Sequence, residues 1–176
     1  MASENTAPDL ADCVLAETRG KLSFDTREYN RAAALSMTQQ TQHTLRITSR
    51  DLDATIYDND EFIQAAKDMA LRSRRAKLYI LINTADPAVK NGHRLIDLCR
   101  RLTSFIEIRV QGKRFFDYNE ATLIADESGY IRRRLAERYE TEADFFSPRT
   151  AREMIKEFDN MWEESVEDPN LRRLSI

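Results

Sequence analysis

Residues 78–82 read Leu-Tyr-Ile-Leu-Ile, a continuously apolar run between Lys77 and Asn83. A run this short cannot cross a bilayer and is what a strand covered on both faces requires. Working outward, Phe62, Ala66, Met69 and Ala70 recur at helical spacing on its N-terminal side. Asp58, with Glu61 three residues on, reads as the capping box that starts this helix. Arg72, Arg74, Arg75 and Lys77 cluster at its end, where positive charge meets the negative end of the helix dipole. On the C-terminal side, Asp86-Pro87 opens one further helix with Gly92, Leu95, Cys99 and Leu102 along a stripe. Ile106, Ile108 and Val110 then alternate with Glu107, Arg109 and Gln111, the pattern of a half-exposed strand. Two parallel neighbours joined through such a helix make a right-handed crossover.

Further out, Leu45 and Ile47 alternate in a strand over residues 43–48. Ala32, Ala33, Ala34, Leu35 and Met37 favour a helix over 26–40, and residues 21–24 fit a short strand. Ala121 to Ala125, a turn at Asp126-Glu127-Ser128-Gly129, and Tyr130 to Arg134 read as a β-hairpin. The last helix has Ser147 as N-cap, Pro148 as first residue, and a buried stripe of Ala151, Met154, Ile155, Phe158, Met161 and Trp162. The expected architecture is one α/β domain over residues 21–170, a mixed β-sheet flanked by helices. A flexible tail is expected over 1–20 and a short one over 171–176.

The 176 residues suffice for one ordinary core. Basic residues number 27 and acidic ones 30, a net charge of −3, so no global field draws nucleic acid or anionic lipid, and any basic surface must be local. No membrane span or signal peptide is expected, and Cys13 and Cys99 are placed apart, as in the reducing cytoplasm. Two histidines and two cysteines, widely spread, offer no zinc spacing, and no metal or cofactor is expected. The glycines, Gly20, Gly92, Gly112 and Gly129, form no phosphate loop.

The order strand, helix, strand, helix, strand, hairpin with an aspartate, then a helix holding Phe158 and Trp162 in FDNMW, resembles the half-domain of the phospholipase D superfamily. More closely, it resembles a bacterial branch of phospholipase D-like proteins, over residues 43–170. Active members carry His-x-Lys, four more residues and Asp, then Gly-Ser-x-Asn, and their histidine attacks phosphorus. With that aspartate placed on Asp126, Asn119 takes the histidine position and Ala121 the lysine position. Arg133, Arg134, Leu135 and Ala136 take the Gly-Ser-x-Asn positions. Asparagine cannot be that nucleophile and alanine cannot hold phosphate, so the family's reaction is not carried over. The resemblance implies a homodimer, since active relatives combine two half-domains.

Several clusters have both a functional and a plain reading. His93 reads as a hydrogen-bonded surface histidine against a catalytic one. Asp117, Glu120, Asp126 and Glu127 could bind a cation or solvate the hairpin. Lys113, Arg114, Arg132, Arg133 and Arg134, interleaved with Phe115, Phe116, Tyr118 and Tyr130, could hold a phosphate-containing or nucleic-acid ligand, or form salt bridges. Alternation puts Arg132 and Arg134 on one face and Arg133 on the other. Asn119, Glu120, Asp126, Arg132, Arg134 and His93 are the candidate site residues. The expected role is a non-catalytic binding or assembly module. A phosphodiesterase or nuclease with a rearranged site, and a nucleic-acid-binding accessory protein, are the alternatives.

Overall fold

In the computed structural model, which describes residues 9–172, the chain runs through β1 (Leu22–Phe24), α1 (Arg27–Gln40), β2 (Thr44–Ser49), α2 (Ala54–Tyr57), α3 (Asp60–Leu71) and β3 (Lys77–Ile82). It continues through α4 (Asp86–Lys90), α5 (Arg94–Arg101), β4 (Ile106–Val110), β5 (Ala121–Ala125), β6 (Gly129–Arg133), β7 (Thr141–Asp144), α6 (Pro148–Glu163) and α7 (Pro169–Arg172). The apolar run 78–82 is the middle of β3, which lies between β2 and β4. The sheet order is β1-β7-β6-β5-β2-β3-β4. Strands β2, β3 and β4 are parallel because helices connect them. From β5 onward every pairing is antiparallel, beginning with the tight hairpin β5–β6. The fold is therefore an α/β mixed sheet flanked by helices.

Strand alternation divides the core in two. Leu45, Ile47, Leu78, Ile80, Ile82, Leu123 and Ile131 face α1, α3 and α5. Leu81, Ile124 and Tyr130 face α6, which covers them with Ala151, Met154, Phe158 and Met161. The Trp162 ring stacks on Phe158 at 5.7 Å between centroids and meets Tyr79 edge-on at 5.1 Å. Arg109 lies 4.5 Å over its face.

Several local expectations change. Asn59, not Asp58, caps α3 by accepting from Phe62 N at 3.0 Å, because Asp58 is engaged by Arg94. The single helix expected from Asp86 breaks at Gly92, whose φ of 68° only glycine adopts cheaply, giving α4 and α5. Ser147 makes no capping bond to the backbone. The Arg72 guanidinium donates to the carbonyls of Gln39 and Thr41, serving the end of α1 and not that of its own helix. Strand β7 carries the half-buried Glu142 and Asp144 on the α6 side, opposite Arg132 and Tyr130, so its sequence shows no apolar run.

The segment read as a flexible N-terminal tail packs onto the domain from Asp9 onward, with Leu10, Cys13 and Leu15 buried. Gln40 accepts from Leu15 N at 2.8 Å and donates to Cys13 O at 3.1 Å. A Cβ at Gly129 would stand 2.6 Å from Leu15 Cδ1, so glycine lets this segment lie across the hairpin. Residues 1–8 of the expected tail lie outside the described residues. At the other end Leu171 is buried in α7, and Arg100 donates to the Asn170 and Leu171 carbonyls. Residues 173–176 also lie outside the described residues. Cys13 and Cys99 are free thiols. Among the described residues no helix is long and apolar enough to cross a membrane.

Candidate functional site

A cavity of about 620 Å³ opens at the C-terminal ends of β2 and β3. Beside it, the antiparallel β5 and β6 bring in Arg133, Ala136 and Glu137. Open α/β sheets place ligands outside the carboxyl ends of their strands, where strand order reverses direction. Here the cavity lies outside the carboxyl ends of β2 and β3, where the parallel part of the sheet meets the antiparallel part at β2.

Arg133 forms the wall of the cavity on the β6 side. Its side chain is 4% exposed, and its Nη1 lies 3.5 Å from Asp53 Oδ2 and 3.4 Å from the Arg138 carbonyl. The guanidinium sits over the Tyr139 ring at 5.3 Å, and the Tyr139 hydroxyl donates to Asp53 Oδ2 at 3.1 Å. Asp53 Oδ1 meanwhile accepts from Thr55 N at 3.0 Å and caps α2. Arg133, Asp53 and Tyr139 thus form one partly enclosed ionic group in the cavity wall.

His93 closes the opposite wall. It is buried, and both ring nitrogens are engaged: Nδ1 accepts from Leu95 N at 3.2 Å, capping α5, and Nε2 lies 3.0 Å from Leu52 O. Since Nδ1 accepts, Nε2 carries the proton and donates to Leu52 (a tautomer assigned from the bonding). Leu52 has φ of 60°, strained for a γ-branched side chain, and is held there by His93 and by Ser49 Oγ at 3.1 Å. His93 is therefore neither on the surface nor inside a helix, as its sequence position suggested.

Burial pushes the His93 imidazole below its ordinary value, against the upward pull of Asp58 and of the Leu52 carbonyl, with Arg94 adding to the depression. Asp58 is pulled up by burial, but its bonds to Arg94 and the nearby imidazole leave it below the usual carboxylate range. A histidine depressed in the folded state is protonated more readily when unfolded. Its contribution to stability is complete above the unfolded value near 6.5, and is lost as pH falls from there through the folded value. Denaturant midpoints measured at pH 7.5 and 5.5 should fall at the lower pH (about one unit either side of the unfolded value). His93→Gln should flatten that fall, and an unchanged slope in the variant would exclude His93 as its source.

The sequence candidates do not converge. Asn119 stands beside the cavity, donating through Nδ2 to Glu137 at 3.2 Å and accepting from Ala136 N at 2.8 Å. Ala121 is buried on β5. Asp126 lies at the other end of β5, where β2 begins, and its carboxylate accepts from the amides of Gln42, His43 and Thr44 at 2.8–3.0 Å. The strand between separates it from Asn119 by about 20 Å, at 3.3 Å per residue. Glu120 and Arg132 pair bidentately on the α6 side, both bonds 2.9 Å, with the Tyr118 hydroxyl near Glu120 at 3.4 Å. Burial and the Glu120 charge raise the Glu157 carboxyl nearby, with Arg132 opposing. Arg134 lines, with Arg132, a separate groove of about 380 Å³. Among the described residues no three His, Cys, Asp or Glu side chains gather to hold a metal ion. Sequence reasoning missed Asp53, Tyr139 and Arg50, whose only connection to the site is through the fold. It did put Arg133 on the face opposite Arg132, the one signal available.

A family model described as "Domain of unknown function (DUF7931)" matches residues 26–174. The chain belongs to that family. Among solved structures it is similar to Nuc from Salmonella typhimurium, a phospholipase D family member, with TM-score 0.65 and 10% identity over 85% of this chain and 97% of that one. NucT from Helicobacter pylori follows with TM-score 0.59 and 12% identity, covering 85% of this chain and 99% of that one. TrmBL2, an archaeal chromatin protein with a novel mode of DNA binding, gives TM-score 0.63 and 18% identity over 90% of this chain. The chain spans 57% of the length of TrmBL2. At these identities the likeness is one of fold, and the fold is phospholipase D-like. No curated protein matches the sequence.

Proposed function

We propose that this is a non-catalytic phospholipase D-like domain that binds a small ligand in the cavity at the ends of β2 and β3, acting as a homodimer. The observation that carries the reading is the state of the residue in the nucleophile position. Asn119 has no nucleophilic nitrogen, its amide is committed to Glu137, and Ala121 beside it offers no phosphate ligand. The nearby imidazole, His93, uses both ring nitrogens structurally and has neither free to attack. The free Cys13 and Cys99 thiols support a reducing, cytoplasmic setting.

A nucleic-acid ligand is the second reading, favoured by Phe116, which is 71% exposed beside Lys113 and Arg114. Against it, Arg114 is paired with Glu164 and Asp117 shares the loop. The test is turnover of bis(p-nitrophenyl) phosphate with and without divalent ions. None is expected above the uncatalysed rate, from a protein sedimenting at twice the 20.5 kDa chain mass. Turnover abolished by Asn119→Ala would restore the enzyme reading.

A further inference from the structure

The cavity contains both signs of charge, and sorting them by what is already used leaves a specific remainder. Of its four carboxylates, Asp53 is occupied by Thr55, Tyr139 and Arg133, and Asp58 by Arg94. Asp51 remains at the mouth with Glu137, which accepts from the Asn119 amide but makes no ion pair among the described residues. Glu137 is kept ionised, since its own backbone amide, Asn119 and then the Arg50 charge hold its carboxyl below the usual range. Of the two arginines, Arg50 is exposed and makes no ion pair among the described residues.

Arg133 is more telling. Its hydrogen bond to the Arg138 carbonyl and its closest approach to Asp53 both use Nη1, and among the described residues Nε and Nη2 make no hydrogen bond. They are also not among the fully enclosed polar atoms without a partner, which belong to Thr38, Arg46, Thr48 and Gln111. They therefore reach open space. Besides the cavity, Arg133 borders a crevice of about 10 Å³, no larger than a water site. A guanidinium more than nine-tenths buried with unused donors is a preformed reader of a planar carboxylate.

We propose that the cavity takes a zwitterion of the free amino-acid class. Its carboxylate would be read by Arg133 with Arg50, and its ammonium received by Asp51 and Glu137. The inference rests on the cavity being the binding site. A phosphodiester carries no positive group to answer Asp51 and Glu137, so on this reading it binds the site more weakly than a zwitterion. Walls of Leu52, Ala54, Pro87 and Ala88 leave room for a largely apolar side chain beyond the charged head.

The experiment is titration of the full chain with each standard free amino acid at millimolar concentration, read by calorimetry and by amide NMR shifts at Leu52, Asn91 and Glu137. Acetate and ethylamine serve as half-ligands, and inorganic phosphate and bis(p-nitrophenyl) phosphate as anions lacking an ammonium. Expected is saturable binding of at least one amino acid with shifts at the cavity, and none with either half-ligand. Arg50→Gln and Asp51→Asn, both at exposed positions that leave the fold alone, should each weaken binding about tenfold, the worth of one charge-assisted bond. Phosphate or the diester binding there in place of amino acids would overturn the ligand class while leaving the cavity as the site. No cavity shift with any probe would overturn this inference, and the absence of phosphodiesterase turnover would stand independently.

Discussion

Asp126→Ala is expected to destabilise the fold by about 3 kcal/mol while leaving the cavity untouched. The carboxylate accepts three consecutive backbone amides, from Gln42, His43 and Thr44, and so fixes the entry to β2. Each is charge-assisted, and removing the acceptor leaves the Gln42 and His43 amides to water and the partly buried Thr44 amide without a partner. Alanine would also have to adopt φ of 53°, which aspartate tolerates better. Asp126→Asn should recover part of the loss, because its single carbonyl oxygen can still accept and its amide nitrogen cannot. Urea denaturation measures both, and equal midpoints for wild type and Asp126→Ala would refute the assignment. An Asp126 that acted in chemistry would behave in the opposite way, costing activity and not stability.

Phe158→Ala is expected to cost about 3–5 kcal/mol, as deletion of a fully buried aromatic ring does. Phe158 is 2% exposed, between the sheet and the rest of α6, and its removal takes the centre out of the smaller core. Trp162→Ala should cost roughly half as much, since that ring is only partly buried and rests on Phe158, Tyr79 and Arg109. The ranking is the test. A larger loss for Trp162→Ala would mean that its contacts, and not the buried Phe158, anchor α6.

Both predictions concern residues that the sequence singled out, and their outcomes differ for a physical reason. The stripe containing Phe158 is a local pattern, because a helix sets which residues share a face within a few turns. Its burial against the sheet could be read without knowing the sheet. Asp126 at a hairpin turn gives no such signal, since its partners are backbone groups more than eighty residues earlier. His93 is similar: a nearly regular apolar stripe concealed the break that glycine imposes at Gly92.

What the sequence determined by itself was the set of elements: the buried strand at 78–82, the helices to either side, the hairpin, and the helix of Phe158 and Trp162. From their order came the phospholipase D-like fold, and from Asn119 and Ala121 the absence of that family's reactive pair. These are properties of period and residue type, which act over a few residues. Only the tertiary structure decided that Asp126 and Asn119 lie at opposite ends of a strand, and that Arg132 faces Glu120 while Arg133 faces Asp53 and Tyr139. Only it turned the first described residues from a tail into part of the core. Strand order and register set these pairings, and no local pattern encodes them, because a polar side chain's partner is chosen by which strands lie together.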